Sequence, residues 1–281
     1  MEITIYNTEE YPDVYMEAPM TMLRKGDGIS PIDHRGITIF VASYRQSSGV
    51  YWHRFMPALL KWVHPDACGG LPERECLEAA FDAQADIEEA LLLGLEWTQV
   101  NADHQKFFDT FDPKFFYYLF MAVGVPPSVA VLTLHLATNM RRSIKRGRHR
   151  GKRIRGNRGA AQGDSLSILA ALIITTIQFR CISVEHPNVR MGSVIDDRNF
   201  RGPSASVICA VHAAIEFDHM AGLTNNLKKF VALSTTAEGR QTLQQTLFDG
   251  RHIQVNQEDI LVGMCISTRK APRRHRQDQR A

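Results

Sequence analysis

The stretch Ser193-Val194-Ile195-Asp196-Asp197-Arg198 organises the chain, because two adjacent carboxylates stand at the end of a short apolar run. Residues 191–195 predict a β-strand, and residues 198–201 predict a second strand that returns before Gly202-Pro203. Neighbouring like charges repel each other, so such a pair is stable only in solvent or bound to cations. A lone Asp-Asp pair is most simply an exposed hairpin tip, but other features of the chain favour a functional role.

Composition places the chain among globular proteins. Its 281 residues, 44% hydrophobic and 22% charged, suit one large domain or two small ones. Five scattered cysteines without a Cys-x-x-Cys pair argue against a zinc module or a disulfide framework, and they predict a reducing, intracellular location. The N-terminus has no signal-peptide profile, so secretion is not expected, while nucleus and cytoplasm are not distinguished. The longest apolar run, 166–179, is too short to span a bilayer and predicts a buried helix without a membrane partner.

Charge is unevenly distributed along the chain, although the net charge is only +3. Residues 113–163 contain no Asp or Glu, and ten Lys and Arg fall within residues 141–158. A solvated basic loop is the simpler interpretation of such a block alone, but an acid-free region this long predicts a polyanionic partner, most simply nucleic acid. The predicted contacts are Arg141, Arg142, Lys145, Arg146, Arg148, Arg150, Lys152, Arg153 and Arg155.

Strands and helices alternate along the chain. Strands are predicted at 36–41, 96–103, 191–195, 198–201, 228–234 and 260–266, and helices at 44–63, 73–93, 113–124, 126–140, 165–181, 204–221 and 236–248. The basic block is punctuated by glycines and predicts a hairpin or loop. Because the acidic hairpin is antiparallel, the pattern favours a mixed α+β fold over a doubly wound parallel sheet.

Asp103 ends one predicted strand, and Asp196-Asp197 end another. If these strands are neighbours, three carboxylates converge at one edge of the sheet and can hold two Mg²⁺ ions about 3.5–4 Å apart. One ion would activate a 3′-hydroxyl and the other would stabilise a leaving pyrophosphate. Mg²⁺ takes few protein ligands, so three Asp suffice, and Mn²⁺ is an alternative ion.

Several motifs, taken in order, resemble the reverse transcriptases of non-LTR retroelements and group II introns over residues 20–268. The matching motifs are Asp103-His104-Gln105-Lys106-Phe107-Phe108-Asp109, Gly159-Ala160-Ala161-Gln162-Gly163-Asp164-Ser165-Leu166-Ser167, Val194-Ile195-Asp196-Asp197, Gly222-Leu223-Thr224-Asn225-Asn226-Leu227-Lys228-Lys229, Leu261-Val262-Gly263 and, upstream, Leu23-Arg24-Lys25 with Asp33-His34-Arg35-Gly36-Ile37. The resemblance implies an α+β right-hand polymerase, with a mixed antiparallel palm sheet packed on helices.

The resemblance also implies roles for single residues. Asp103, Asp196 and Asp197 would be the catalytic carboxylates and metal ligands, with Asp196 the firmer ligand of the adjacent pair. Phe108 would pack under the incoming sugar and reject a 2′-hydroxyl. Lys229 would neutralise or protonate the leaving pyrophosphate.

Four further positions would meet the nucleotide. Gln162 and Gly163 would line the nucleotide and template pocket, where the missing side chain of glycine lets backbone approach closely. Lys25 and Arg35 would meet the triphosphate from the fingers, as cations matched to phosphate.

The sequence departs from the family pattern at structural positions only. Val194 replaces an aromatic residue, and the family's prolines are absent at Gly36, Ala161, Ser165 and Ile168. The predicted organisation is an irregular lead-in (1–20), fingers (21–95), a palm (96–268) with a fingers-like basic insertion near 141–158, and a basic tail (269–281). A thumb is expected to be missing.

The predicted function is reverse transcription, the addition of deoxynucleotides to a DNA primer on an RNA template. Deoxynucleoside triphosphates are the expected substrates, and the oligomeric state is left open. One alternative is a catalytically degenerate nucleic-acid-binding remnant of a retroelement. Another is an RNA-dependent RNA polymerase palm, which Phe108 disfavours because that enzyme needs room for the 2′-hydroxyl.

Overall fold

The computed structural model describes residues 8–24, 34–156 and 158–269. Within these ranges the helices are α1 (Ala42–Trp62), α2 (Cys76–Leu93), α3 (Phe107–Thr110), α4 (Pro113–Ala122), α5 (Pro127–Asn139), α6 (Ser165–Glu185), α7 (Ser204–Met220) and α8 (Ala237–Gln245). The strands are β1 (Glu17–Arg24), β2 (His34–Thr38), β3 (Ala67–Cys68), β4 (Thr98–Ala102), β5 (Arg141–Arg146), β6 (His149–Arg150), β7 (Ile154–Arg155), β8 (Arg190–Val194), β9 (Asp197–Gly202), β10 (Val231–Ser234), β11 (Gln254–Asn256), β12 (Glu258–Leu261) and β13 (Met264–Ser267).

Local sequence signals account for many of these boundaries. The Asp112 carboxylate accepts a hydrogen bond from the Lys114 backbone N–H at 2.8 Å and caps α4. Helix α2 ends at Gly94, which adopts a left-handed conformation with φ of 66°. The single strand predicted at 260–266 is wrong: Val262 and Gly263 both have positive φ and turn the chain, which gives the hairpin of β12 and β13 instead.

The chain divides into two compact units, each assembled from two segments. The first unit comprises Met1–Trp62 and Lys106–Ile173. Its sheet has the order β2-β1-β5-β6, with β7 also paired to β5. Strands β1 and β5 are parallel, and aromatic and aliphatic side chains pack beside them in a core that includes Tyr15, Phe40, Tyr44, Leu132 and Leu136. The basic block therefore forms strands, in agreement with the hairpin prediction.

Asp164 is a buried carboxylate in this first unit. The Tyr44 hydroxyl donates to its Oδ2 at 2.9 Å, and the Leu166 backbone N–H donates to its Oδ1 at 3.3 Å. Burial raises the pKa of Asp164 to about 6, although these hydrogen bonds favour the ionised form.

Asp164→Asn is expected to change how stability depends on pH. Because the pKa of Asp164 is raised in the folded state, the stability that this group contributes is fully present below its unfolded pKa and is lost as pH rises through about 6. Between pH 4.5 and 7.5 this loss amounts to about 2 kcal/mol. Urea unfolding of both chains at these two pH values measures the difference. Parallel pH profiles for the two chains would contradict the assignment.

The second unit comprises Val63–Gln105 and Ile174–Ala281. Its sheet has the order β11-β10-β4-β9-β8-β3. Side chains of α6 and α7 pack on one face of the sheet in a cluster that includes Phe179, Phe200 and Val211. Residues of α2 and β13 pack against Val231 and Leu233 of β10, whose side chains point to the other face.

These units do not follow the predicted boundaries of fingers (21–95) and palm (96–268). Residues 63–95 belong to the second unit, because the apolar face of α2 packs on β10 and β13. Residues 106–173, which include the basic strands, belong to the first unit, because β5 pairs with β1.

Helix α6 is longer than the run 166–179 on which the prediction rested. It has 21 residues, and an 18-residue window within it has a mean hydropathy of 1.8, so by length and composition it is able to cross a membrane, contrary to that prediction. However, 67% of its apolar window is buried inside the protein, which is typical of a core helix.

Candidate functional site

The two acidic positions lie at the ends of neighbouring strands of the second unit. Strands β4 and β9 are antiparallel, and Ala102 pairs with Arg198. Asp103 follows β4, and Asp197 begins β9, so the same register places them opposite each other. Strands β8 and β9 form the acidic hairpin, in which Val194 pairs with Asp197. This arrangement has the neighbouring strands that the carboxylate hypothesis requires.

Asp103 and Asp197 line one pocket of about 180 Å³ together with Lys229 and Asp259. Asp196 is not among the lining residues. It sits in the turn of the hairpin, where its backbone carbonyl oxygen lies 3.3 Å from His104 Nδ1. The geometry therefore places the second carboxylate of the acidic pair, rather than the first, beside Asp103.

Two residues of the predicted 222–229 motif hold Asp103. Lys229 Nζ lies 2.8 Å from Asp103 Oδ2, and Asn226 Nδ2 donates to the same oxygen at 3.2 Å. The Asn226 backbone N–H also donates to the Asp103 carbonyl at 2.8 Å. The Lys229 side chain is 50% exposed, so this ion pair adds little to stability and leaves the lysine accessible to an anionic ligand.

The carboxylate groups that line this pocket are of the chemical type that Mg²⁺ prefers as ligands. Carboxylate oxygens are hard ligands, and Mg²⁺ is commonly bound through one or two carboxylates, with waters and substrate phosphates completing its shell. Across residues 8–24, 34–156 and 158–269, no group of three or more His, Cys, Asp or Glu is placed to share an ion. The structure thus brings together two of the three predicted ligands.

A buried polar network lies directly beneath these carboxylates, and the sequence interpretation missed it. Arg198 donates to both carboxylate oxygens of Asp218, at 3.0 and 2.8 Å, and its NH2 lies 2.7 Å from His104 Nε2. Gln178 donates to Asp218 at 3.0 Å and accepts a hydrogen bond from Arg198. The only signal in the sequence was that His104 follows Asp103 and Arg198 follows Asp197.

The ionisation of this network follows from its burial. Burial raises the pKa of Asp218, but the Arg198 guanidinium lowers it by more than burial raises it, so the carboxyl stays ionised. Burial and the nearby Arg198 lower the pKa of His104, which keeps its imidazole neutral. The result is a buried, hydrogen-bonded ion pair with a neutral imidazole beside it.

The turn of the acidic hairpin is strained. Ile195 has φ of 60°, a conformation that costs a β-branched residue about 1–2 kcal/mol. The Cys68 carbonyl accepts from the Ile195 backbone N–H at 3.2 Å. A Cβ on Gly69 would lie 2.8 Å from Ile195 Cγ1, so this glycine lets the 68–70 loop cover the turn. Strain of this kind is found where surrounding structure fixes a functional segment.

The predicted nucleotide-binding residues outside the acidic strands belong to the first unit. Arg35 is an exposed residue of β2, and the Thr38 backbone N–H at the end of that strand donates to the Gln162 carbonyl at 2.9 Å. Gly163 has φ of 112° and packs against the Thr38 carbonyl. The Gln-Gly motif therefore runs beside the strand that carries Arg35, while Lys25 lies outside the described residues.

Phe108 is a half-buried residue of α3 in the same unit. Its ring contacts that of Phe107 edge-on, with the centroids 5.2 Å apart. The Ala160 backbone N–H donates to the Phe108 carbonyl at 2.6 Å, and the Gly159 backbone N–H donates to the Phe111 carbonyl at 2.7 Å. The segment before the Gln-Gly motif thus braces the helix that carries Phe108.

Neither protein-family models nor curated proteins match this sequence, whereas solved structures do. Apo telomerase from Candida tropicalis aligns with a TM-score of 0.60 and 11% identity, over 90% of this chain and 47% of that one. Telomerase from Candida albicans, in complex with a TWJ fragment of telomeric RNA, aligns with a TM-score of 0.59 and 10% identity, over 94% and 47%. The fold is reverse-transcriptase-like. A form of the Candida tropicalis enzyme truncated from its C-terminal domain gives a TM-score of 0.58 at 12% identity, over 92% and 54%.

The chain spans about half the length of these telomerase chains. At this identity the likeness concerns the fold. It agrees with the mixed α+β architecture expected from the motif order.

The basic strands of this reverse-transcriptase-like fold carry the predicted nucleic-acid contacts. Three of the nine are held internally: Arg141 lies 3.3 Å from Asp13, Arg153 lies 3.0 Å from Glu17, and Arg155 donates to the Thr138 carbonyl at 3.0 Å. Five exposed cations form no ion pair with any residue of the described ranges: Lys145, Arg146, Arg148, Arg150 and Lys152. Arg142, which is half-buried, completes the set.

Gly163→Ala is expected to destabilise the first unit by about 2–4 kcal/mol. A Cβ at this position would lie 2.6 Å from the Thr38 carbonyl oxygen, and φ of 112° is unfavourable for alanine. Gly124→Ala is the control, because Gly124 has φ of 82° but nothing within 4 Å of a Cβ, and it is expected to cost about 1 kcal/mol. Chemical denaturation compares the two variants. Equal losses would show that the contact with Thr38 contributes nothing.

Proposed function

We propose that this chain is the core of a reverse transcriptase, which adds deoxynucleotides to a primer 3′ end on an RNA template. The observation that carries the proposal is the opposed position of Asp103 and Asp197 on neighbouring strands, lining one pocket, within a reverse-transcriptase-like fold. The order of the motifs supports a non-LTR or group II intron type. Five free cysteines support an intracellular location.

The chain's own residues have separate roles in this mechanism. Asp103 and Asp197 would hold Mg²⁺, with Asp196 beside them in the turn, and Mn²⁺ is the alternative ion. When bound, the metal supplies Lewis-acid stabilisation of the negative charge that develops on the transferred phosphoryl group. Lys229, whose Nζ lies 2.8 Å from Asp103 Oδ2, would neutralise a leaving pyrophosphate. Gln162, Gly163 and Arg35 would be the nucleotide contacts that the family resemblance implies.

Template and primer would lie along the basic strands β5–β7. The exposed cations there, which form no ion pair within the described part of the chain, match a phosphate backbone, and binding of this kind weakens steeply with salt. The telomerase of Candida albicans was solved with a fragment of telomeric RNA, which supports nucleic-acid binding by this fold.

Primer extension on poly-rA/oligo-dT with Mg²⁺ tests the proposal. Extension with dTTP that stops when EDTA removes the metal is the expected result. No product, with RNA binding intact, would favour the alternative of a nucleic-acid-binding remnant.

Phe108→Ala is expected to reduce discrimination against ribonucleotides by about 10-fold or more, because the aromatic ring would no longer block a 2′-hydroxyl. Incorporation of UTP and dTTP by both chains measures the ratio. Phe107→Ala is the control for loss of an adjacent aromatic, since Phe107 is a buried core residue and is expected to keep the ratio unchanged. If the ratio is already near one in the unaltered chain, the RNA polymerase alternative gains support.

A further inference from the structure

We propose that Arg198, with Asp218 and His104, is a positioning residue that fixes Asp103 and the acidic hairpin relative to each other. The inference rests on the proposed function and adds residues that no motif assigned. It starts from adjacency, because Arg198 immediately follows Asp197 and His104 immediately follows Asp103. The two residues that succeed the pocket carboxylates are thus in direct contact beneath them, with 2.7 Å between Arg198 NH2 and His104 Nε2.

The donors and acceptors of this contact are determined. A guanidinium only donates, so His104 Nε2 accepts from Arg198. The proton of the neutral imidazole is then on Nδ1, which donates to the Asp196 carbonyl at 3.3 Å. Asp218 Oδ2, 3.3 Å from His104 Nε2, accepts its hydrogen bond from Arg198 instead, while Asp218 Oδ1 accepts from both Gln178 and Arg198. One guanidinium therefore connects the end of β4, through the imidazole, to the backbone of the hairpin turn.

Two helices contribute side chains that hold this network in place. Asp218 belongs to α7, Gln178 belongs to α6, and the Gln178 amide also donates to the Ala214 carbonyl at 3.1 Å. Arg198 is 3% exposed and Asp218 is 0% exposed. A salt bridge this deeply buried is weak evidence for stability, because an apolar pair of similar volume often serves as well. Its placement beneath the carboxylates gives it a geometric role.

Arginine, rather than positive charge alone, is required by this geometry. The planar fork reaches Asp218, Gln178 and His104 simultaneously, whereas a lysine ammonium is a single point of charge on a flexible stem. Arg198→Lys therefore keeps an ion pair with Asp218 but loses the contact that links the two acidic strands. This variant therefore distinguishes the loss of the contact with His104 from the loss of the positive charge that balances Asp218.

The same strand provides a matched control. Arg201 is also buried in β9, and it donates to Asp86 at 2.7 Å and to the Met191 carbonyl at 3.0 Å. It lies three residues beyond Arg198 and does not line the pocket. Arg201→Lys therefore makes the same chemical change in a buried ion pair of the same strand, away from the carboxylates.

The experiment measures Mn²⁺ binding by electron paramagnetic resonance, without nucleotide or primer, in the full chain and each variant. Arg198→Lys is expected to weaken Mn²⁺ binding about 10-fold or more, with circular dichroism unchanged, and Arg201→Lys is expected to stay within about twofold. In primer extension, Arg198→Lys is expected to lower kcat while KM for dTTP changes little, since positioning acts on the reacting atoms. His104→Asn keeps a donor near the Nδ1 position and is expected to retain more Mn²⁺ affinity than His104→Ala.

The outcomes are distinguishable. Equal Mn²⁺ affinity and equal kcat in the Arg198→Lys and Arg201→Lys variants, with an active unaltered chain, would overturn the positioning role alone. If Arg198→Lys does not fold, the comparison of His104→Asn with His104→Ala tests the inference instead. Equal Mn²⁺ affinity of these two variants would overturn it. An unaltered chain that neither binds Mn²⁺ nor extends a primer would overturn the proposed function, and this inference with it.

Discussion

Asp103→Asn is expected to lower primer extension by about 10²–10³-fold, because it removes the negative charge with which β4 would hold the metal. The amide oxygen of asparagine is still able to accept from Lys229 and Asn226, which now lie 2.8 and 3.2 Å from the carboxylate. The loop that follows β4 should therefore stay in place, and folding and RNA binding should be retained. Initial rates of dTTP incorporation, together with RNA binding by fluorescence anisotropy, measure the effect.

Asp249→Asn is the control for this change. Asp249 is an exposed residue of the same unit that pairs only loosely with His219, at 3.5 Å, and its replacement is expected to leave the rate unchanged. Asp196→Asn and Asp197→Asn, measured in parallel, show which carboxylate of the acidic pair acts with Asp103. The pocket favours Asp197, whereas the family resemblance favours Asp196. Full activity of Asp103→Asn would refute the site assignment.

Asp218→Ala is expected to destabilise the second unit by about 3–5 kcal/mol, because it leaves the Arg198 guanidinium buried without a counter-ion. Both residues are almost inaccessible to solvent, with side-chain exposures of 0% and 3%. The change is similar in size to the free energy of unfolding of many domains. Urea unfolding followed by circular dichroism at neutral pH measures the loss.

The double replacement Arg198→Met with Asp218→Leu tests the cause of that loss. Without either charge, no buried ion is left unpaired, so the double variant is expected to recover most of the stability that Asp218→Ala loses. Asp249→Asn again provides a comparison and is expected to cost less than about 0.5 kcal/mol, since its side chain is 48% exposed. If the double variant is as unstable as Asp218→Ala, the uncompensated charge is not the reason.

Local and short-range features could be predicted from the sequence. The acidic hairpin follows from an apolar run, two carboxylates and a returning strand, and the Asp112 cap follows from its position before Pro113. The basic block has the glycine spacing of a hairpin, and it forms β5–β7. In each case the determining residues are close together in the chain, so local propensity and tertiary packing agree.

Contacts between distant segments were not predictable in the same way. The apolar pattern of α2 shows that one face is buried, but not that β10 and β13 are what it packs on. Arg198 and His104 are 94 positions apart, and the sequence around neither residue indicates that the other is its partner. The turn at Val262 requires positive φ in a β-branched residue, which local propensity argues against.

The parallel pairing of β1 with β5 has a consequence for how the protein is made. Strand β1 ends at Arg24 and its partner β5 begins at Arg141. The ribosome must therefore synthesise all the residues between these two positions before the strands are able to pair. The second unit is likewise interrupted, because β4 must wait for β9 and β10. Long-range pairings of this kind slow folding and expose unpaired strand edges. Nascent chains truncated before Arg141 should therefore depend on chaperones to stay free of aggregates.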